Sequence, residues 1–223
     1  MKKRSLYQIL ATLLLTVTPL GAWAATCITS SPHPLTATEC SYQANEHSYL
    51  GFNINDPEYS RFSNVQTVQI GPDEHTSFDS VFAGIAVDPP GAPGTQIPFT
   101  LMGPVTAVMR NKSTTDTTGT FDTEILSMSL SGTVGPIPIQ VRQNPTLLSL
   151  GQTTITDLGG GLWQIDSFFD IFTELSVDGG GNWAPSLEAS RMVLQPVPIP
   201  AAAWLFGSGL LGLVGMARRK QSV

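Results

Sequence analysis

Between Ala25 and Pro196 no stretch carries the 3.6-residue apolar period of an amphipathic helix. Short runs rich in β-branched and aromatic residues alternate there with turn formers. Strands are predicted at Tyr49–Ile54, Val65–Ile70, Phe78–Val87, Pro104–Arg110, Phe121–Leu130, Pro136–Arg142, Thr153–Asp157, Leu162–Val177 (broken) and Arg191–Leu194. The breakers between them include Asn55-Asp56-Pro57, Gly71-Pro72-Asp73, Asp88-Pro89-Pro90-Gly91, Gly159-Gly160-Gly161 and Asp178 to Asn182. Lys112 to Gly119 is rich in Ser and Thr and reads as an exposed loop. These 172 residues suffice for one core. The expected fold is all-β, a single β-sandwich of jelly-roll-like or Greek-key type.

The segment Asp166–Asp178 shows the strand period best. Ser167, Phe169, Ile171, Thr173, Leu175 and Val177 occupy one face and should point to the core. Asp166, Asp170, Glu174 and Asp178 occupy the other, with Phe168 and Phe172. Successive carboxylates are four residues apart, about 13 Å along a strand, so no two share a cation there. Asp178, beside the glycine triplet and Asn182, is the one place where a turn could gather oxygens. An ordinary hairpin turn is the expectation, and no metal site is assigned. Phe168 and Phe172 could offer a stacking platform to sugars, although such rings more often cover neighbouring strands.

Charge is unevenly distributed. All 17 acids fall between Glu39 and Glu188, and between the two basic ends only Arg61, Arg110, Lys112, Arg142 and Arg191 oppose them. A body this acidic repels polyanions, which excludes nucleic acid as a partner. The two cysteines, Cys27 and Cys40, predict one disulfide formed in an oxidising compartment. Asn111-Lys112-Ser113 matches a glycosylation sequon of eukaryotic type. No metalloprotease helix, nucleophile elbow or phosphate-binding loop occurs, and no cofactor is implied. His33, His47 and His75 lie in polar, turn-rich stretches and read as surface residues. The body is expected not to be an enzyme.

The ends have a different composition. Lys2-Lys3-Arg4, the apolar stretch Leu6 to Leu20 and the small-x-small site at Ala22 and Ala24 read as a signal peptide over residues 1–24. Cleavage after Ala24 leaves Ala25 as the mature start, with the translocon and signal peptidase as partners. At the other end Ala201 to Ala217 carries no charge over 17 residues, roughly 25 Å of helix, close to the minimum for crossing a bilayer. Pro196, Pro198 and Pro200 make the segment before it extended. Arg218, Arg219 and Lys220 follow as a membrane stop on the cytoplasmic side.

Val197-Pro198-Ile199-Pro200, the Gly-containing apolar segment and the basic end together resemble a PEP-CTERM sorting signal over 197–223. Ile199 stands where that pattern has Glu. The resemblance implies export, transient residence in the inner membrane of a Gram-negative bacterium, and processing near Pro198–Pro200 by an exosortase-type membrane protease. It also implies association with biofilm or exopolysaccharide at the cell surface or beyond it. Within Gly119–Leu194, the stretches Gly119 to Leu126 and Asp166 to Gly180 resemble a block of other exported bacterial proteins with such tails. The expectation is therefore a sorted, non-enzymatic envelope or matrix protein. A carbohydrate-binding adhesin and a secreted polysaccharide hydrolase are the alternatives.

Overall fold

The computed structural model describes residues 26–34 and 39–197. The signal-peptide residues, the sorting motif from Pro198 onward and the basic stop lie outside them. So do the two helices expected for the signal and the membrane span. Among the described residues no helix is long and apolar enough to cross a membrane.

Among the described residues thirteen strands form one antiparallel sheet: β1 (Cys27–Thr29), β2 (Cys40–Gln43), β3 (Glu46–Tyr49), β4 (Phe52–Ile70), β5 (Asp73–Val87), β6 (Gln96–Met109), β7 (Gly119–Val134), β8 (Ile137–Gln143), β9 (Ser149–Gly159), β10 (Leu162–Ile171), β11 (Thr173–Ser176), β12 (Ala184–Pro185) and β13 (Ser190–Pro196). The expected sandwich is not what forms. β4, β5, β6 and β7 run as a meander, and β7 then pairs with β9, β9 with β10, β10 with β13, β13 with β2 and β2 with β4. The eight strands close into a barrel. Alternating apolar and polar residues specify one buried face per strand, which two facing sheets and one closed sheet satisfy equally well.

Bulges supply the curvature. Three times along β4 an extra residue interrupts the register with β5, between Asn55 and Glu58, Ser60 and Ser63, and Ser63 and Gln66. Asp56, Arg61 and Asn64 in these intervals have positive φ. An extra residue bends a strand and increases its twist, as barrel closure requires. Asn55-Asp56-Pro57 is therefore a bend within one strand, not the break expected. In β7 the inward positions are odd up to Ile125 and even from Met128, because Leu126 is an extra residue opposite β6. At this step β7 exchanges one neighbour for another: Gly119 to Ile125 pair with β9, and Ser129 to Val134 with β8. The fork gives the far end its own wall of β8, β11, β12 and β3, joined by the Tyr49–Ser186 bridge.

The inward parity predicted for Asp166–Asp178 holds from Ser167 to Leu175, with Ser167, Phe169, Ile171, Thr173 and Leu175 buried. Inside, Phe78, Phe82, Phe99, Leu101, Leu130, Ile165 and Met192 share one core with Tyr42 and Tyr59. The outward face of β7 presents Thr120, Asp122, Ser129, Ser131 and Thr133. Apolar inside and polar outside is the reverse of a lipid-facing barrel. β9 is held between β7 and β10 at Gly151, where any Cβ would fall 2.0 Å from the Phe168 carbonyl oxygen. The predicted disulfide forms: Cys27 is bonded to Cys40, tying β1 beside β10 to β2 in the ring.

Candidate functional site

The parity of β5 places Glu74, Thr76, Phe78, Ser80 and Phe82 on the buried face. Glu74 is thus a carboxylate carried into the barrel end, 2% exposed. Its charge is balanced by Lys112 from the β6–β7 loop, itself 3% exposed, whose Nζ donates to Oε2 at 2.7 Å. His33 Nε2 lies 3.4 Å from the other carboxylate oxygen and 3.3 Å from Thr76 Oγ1. Burial pushes the Glu74 carboxyl up, but the hydrogen bonds and charges of His33 and Lys112 outweigh it and hold the group below its usual range.

This set fastens a plug. Arg110 reaches Asp73 at 2.9 Å and Glu124 at 2.6 Å. The Asn111 N–H donates to Asp73, which lies below its usual range through that bond and then through Arg110. Gln69 Nε2 donates to the Lys112 carbonyl, and Thr114 N–H donates to Gln69 Oε1. Lys112 Nζ also sits 5.8 Å from the Phe121 ring centre. The loop is exposed or part-exposed as expected beyond Lys112, and Lys112 and Thr114 pin it to the barrel end. Above it a solvent-open cleft of about 550 Å³ is lined by His33, Thr67, Gln69, Glu74, Lys112 and Asp116, among others.

The barrel axis offers little room. A cavity of about 40 Å³ lies among Tyr42, Tyr59, Ser80, Thr123 and their apolar neighbours. That holds one or two waters, far below the roughly 300 Å³ of a small ligand site. Tyr42 Oη, Ser167 Oγ and Thr153 Oγ1 form a buried chain at 2.8 and 2.7 Å. The Tyr59, Ser80 and Thr123 hydroxyls have no hydrogen-bond partner among the described residues.

At the opposite end His47 overturns its expected surface position. It is 1% exposed, its ring stacks on Tyr49 at 5.0 Å, and its Nε2 lies 2.7 Å from Thr173 Oγ1. Tyr49 Oη meets the same hydroxyl at 2.6 Å. Burial lowers the His47 pKa to about 4, so the ring is neutral at pH 7. His33 is likewise half-buried rather than on the surface.

The remaining sequence candidates lie apart. Asp178 accepts from Ser176 Oγ, Asn182 N–H and Asn182 Nδ2, which hold its carboxyl at about 2. It is the organiser of its own turn. Phe168 lies beneath the Arg191 guanidinium at 3.9 Å, and Arg191 also faces Asp170 at 3.4 Å. Arg142 stacks on Trp183 at 3.9 Å while pairing with Glu174. Glu74, Lys112 and His33 were not singled out from the sequence. The signals were present: Glu74 shares strand parity with Phe78 and Phe82, and Lys112 is the only lysine in the acidic body.

No family model, curated protein or solved structure matches this chain.

Proposed function

We propose that the chain is an exported, non-enzymatic envelope or extracellular-matrix protein, delivered as a folded barrel and sorted by an exosortase-type protease. The observation that carries this reading is where the last described wall strand ends. β13, a wall strand between β10 and β2, finishes at Pro196. The Val197 N–H still donates to the Glu39 carbonyl, and the Pro198-Ile199-Pro200 motif follows at once. Every described ring strand lies before the motif, so processing there would leave these strands entire. The Cys27–Cys40 bridge supports an oxidising destination.

The alternatives draw less support. A sugar platform needs accessible ring faces, but Phe168 and Phe172 are both half-buried and Phe168 lies beneath the Arg191 guanidinium. A glycosidase acid needs a carboxyl held above its usual range, whereas Glu74 is held below it. Replacing Pro198 and Pro200 by Ala tests the reading. The expected result is a longer form retained in the membrane fraction. Release identical to wild type would remove exosortase sorting from the account.

A further inference from the structure

Tyr59 of β4, Ser80 of β5 and Thr123 of β7 carry their hydroxyls into the barrel, and none of the three residues is more than 5% exposed. Their oxygens have no hydrogen-bond partner among the described residues. A buried hydroxyl is costly to leave unpaired, so folded interiors satisfy nearly all of them, with protein groups or with ordered water. All three side chains line the cavity of about 40 Å³, and so do Tyr42 and Thr153. Those two are already joined through Ser167, at 2.8 and 2.7 Å. The cavity therefore borders three unpaired hydroxyls and both ends of a completed hydroxyl chain.

Size and lining decide the occupant. A cavity that takes benzene is about 150 Å³, and one lined only by carbon stays dry. This one is much smaller, and its hydroxyls each donate and accept. Water needs about two to four such partners.

We propose that the cavity is a water site, in which one or two ordered waters bridge Tyr59 Oη, Ser80 Oγ and Thr123 Oγ1 and reach the Tyr42–Ser167–Thr153 chain. The waters complete a hydrogen-bonded belt inside the wall that touches β2, β4, β5, β7, β9 and β10. Of these, β2 and β4 meet through only two residue pairs, Tyr42 with Tyr59 and Gln43 with Glu58. The belt links the hydroxyls of that same Tyr42 and Tyr59. Water thus braces the thinnest seam of the ring from within.

Water-to-methyl cross-relaxation, measured by NMR on the full chain in mild detergent, reads the site. In the wild type the methyls of Val105, Thr123 and Met128, which line the cavity, should show cross-peaks to water. Tyr59→Phe with Ser80→Ala and Thr123→Val removes the three oxygens and should abolish those at Val105 and Met128. The Tyr42 and Gln43 amides should then exchange roughly fivefold faster while those of β8 do not change. Thr123→Val alone nearly keeps the side-chain shape and should weaken the same cross-peaks. A dry cavity in the wild type would overturn the proposal. So would cross-peaks, or seam exchange, that the triple variant leaves unchanged.

Discussion

At the β4–β5 hairpin end the barrel buries charge, Glu74 with Lys112 and His33. At the far end it buries a neutral set, His47 with Tyr49 and Thr173. Both sets join residues distant in sequence, 38 apart for Lys112 and Glu74 and 126 apart for His47 and Thr173. They differ in what they do to the backbone. The charged set pins a loop and an N-terminal segment that contribute few strand pairs, so directional, charge-assisted bonds replace a ladder. The neutral set lies beneath strands already paired and fills space in a wall that backbone hydrogen bonds hold. The buried ionic set holds segments that lack a ladder, whereas the more exposed Arg142–Glu174 and Arg191–Asp170 pairs lie across laddered strands.

Breaking the charged end should have the largest effect. Lys112→Met leaves Glu74 buried without its main partner, at a cost of about 3–5 kcal/mol. Adding Glu74→Gln should recover most of that, because a neutral amide tolerates the site. Urea unfolding of the single and double variants measures both. Equal losses would mean that Lys112 acts through packing on Phe121 rather than through charge.

Next comes the disulfide. Replacing Cys27 and Cys40 by Ser removes a cross-link between positions 13 apart, worth roughly 3 kcal/mol in the chain-entropy model. The loss should also be local. Hydrogen exchange should speed in β1 and near His33 before it changes at β3 and β11. Uniform exchange across both ends would erase the distinction between them.

The far end should reveal itself through pH. His47 has a folded-state pKa of about 4 against an ordinary 6.5. The folded value is the lower one, so the contribution is complete above about pH 6.5 and is lost as pH falls toward 4. At pH 5 the loss relative to pH 7 should be about 2 kcal/mol. His47→Gln should flatten the stability profile over that window. Glu74 responds differently: held below its usual range, it keeps its contribution at neutral pH and loses it only in stronger acid. A slope that persists in the His47 variant would place the titrating group elsewhere.

The smallest effect belongs to His33. Lys112 still compensates Glu74 when His33 becomes Asn, so the change should stay under about 1 kcal/mol in the same urea assay. A loss matching that of Lys112→Met would make His33 the principal partner.

Much of the fold was legible in residue spacing. The alternation from Ser167 to Leu175 assigned inside and outside correctly, and most predicted strands form, though longer. The two-residue turn at Gly71-Pro72 also forms, with Gly71 at positive φ. Closure was not legible. It depends on β2 and β13, seven residues or fewer each, and on bulges at Asp56, Arg61, Asn64 and Leu126. A bulge appears in sequence only as a shift of parity, and in β4 three in succession blur it. The sites failed for another reason. Asn45-Glu46-His47-Ser48 is polar and reads as surface, yet β3 lies across the start of β4 and turns His47 inward. Likewise the Ser/Thr-rich loop concealed the buried lysine, since nothing local in it indicates a carboxylate 38 positions earlier.

We propose that the barrel is sorted by address signals lying outside it at both ends. Intact-mass spectrometry of the protein from wild-type cells and from cells lacking the exosortase tests it most directly. The expected wild-type product starts at Ala25, keeps the Cys27–Cys40 bridge and ends near Pro198–Pro200, with the tail retained when the protease is missing. A chain intact through Val223 in both strains would contradict it.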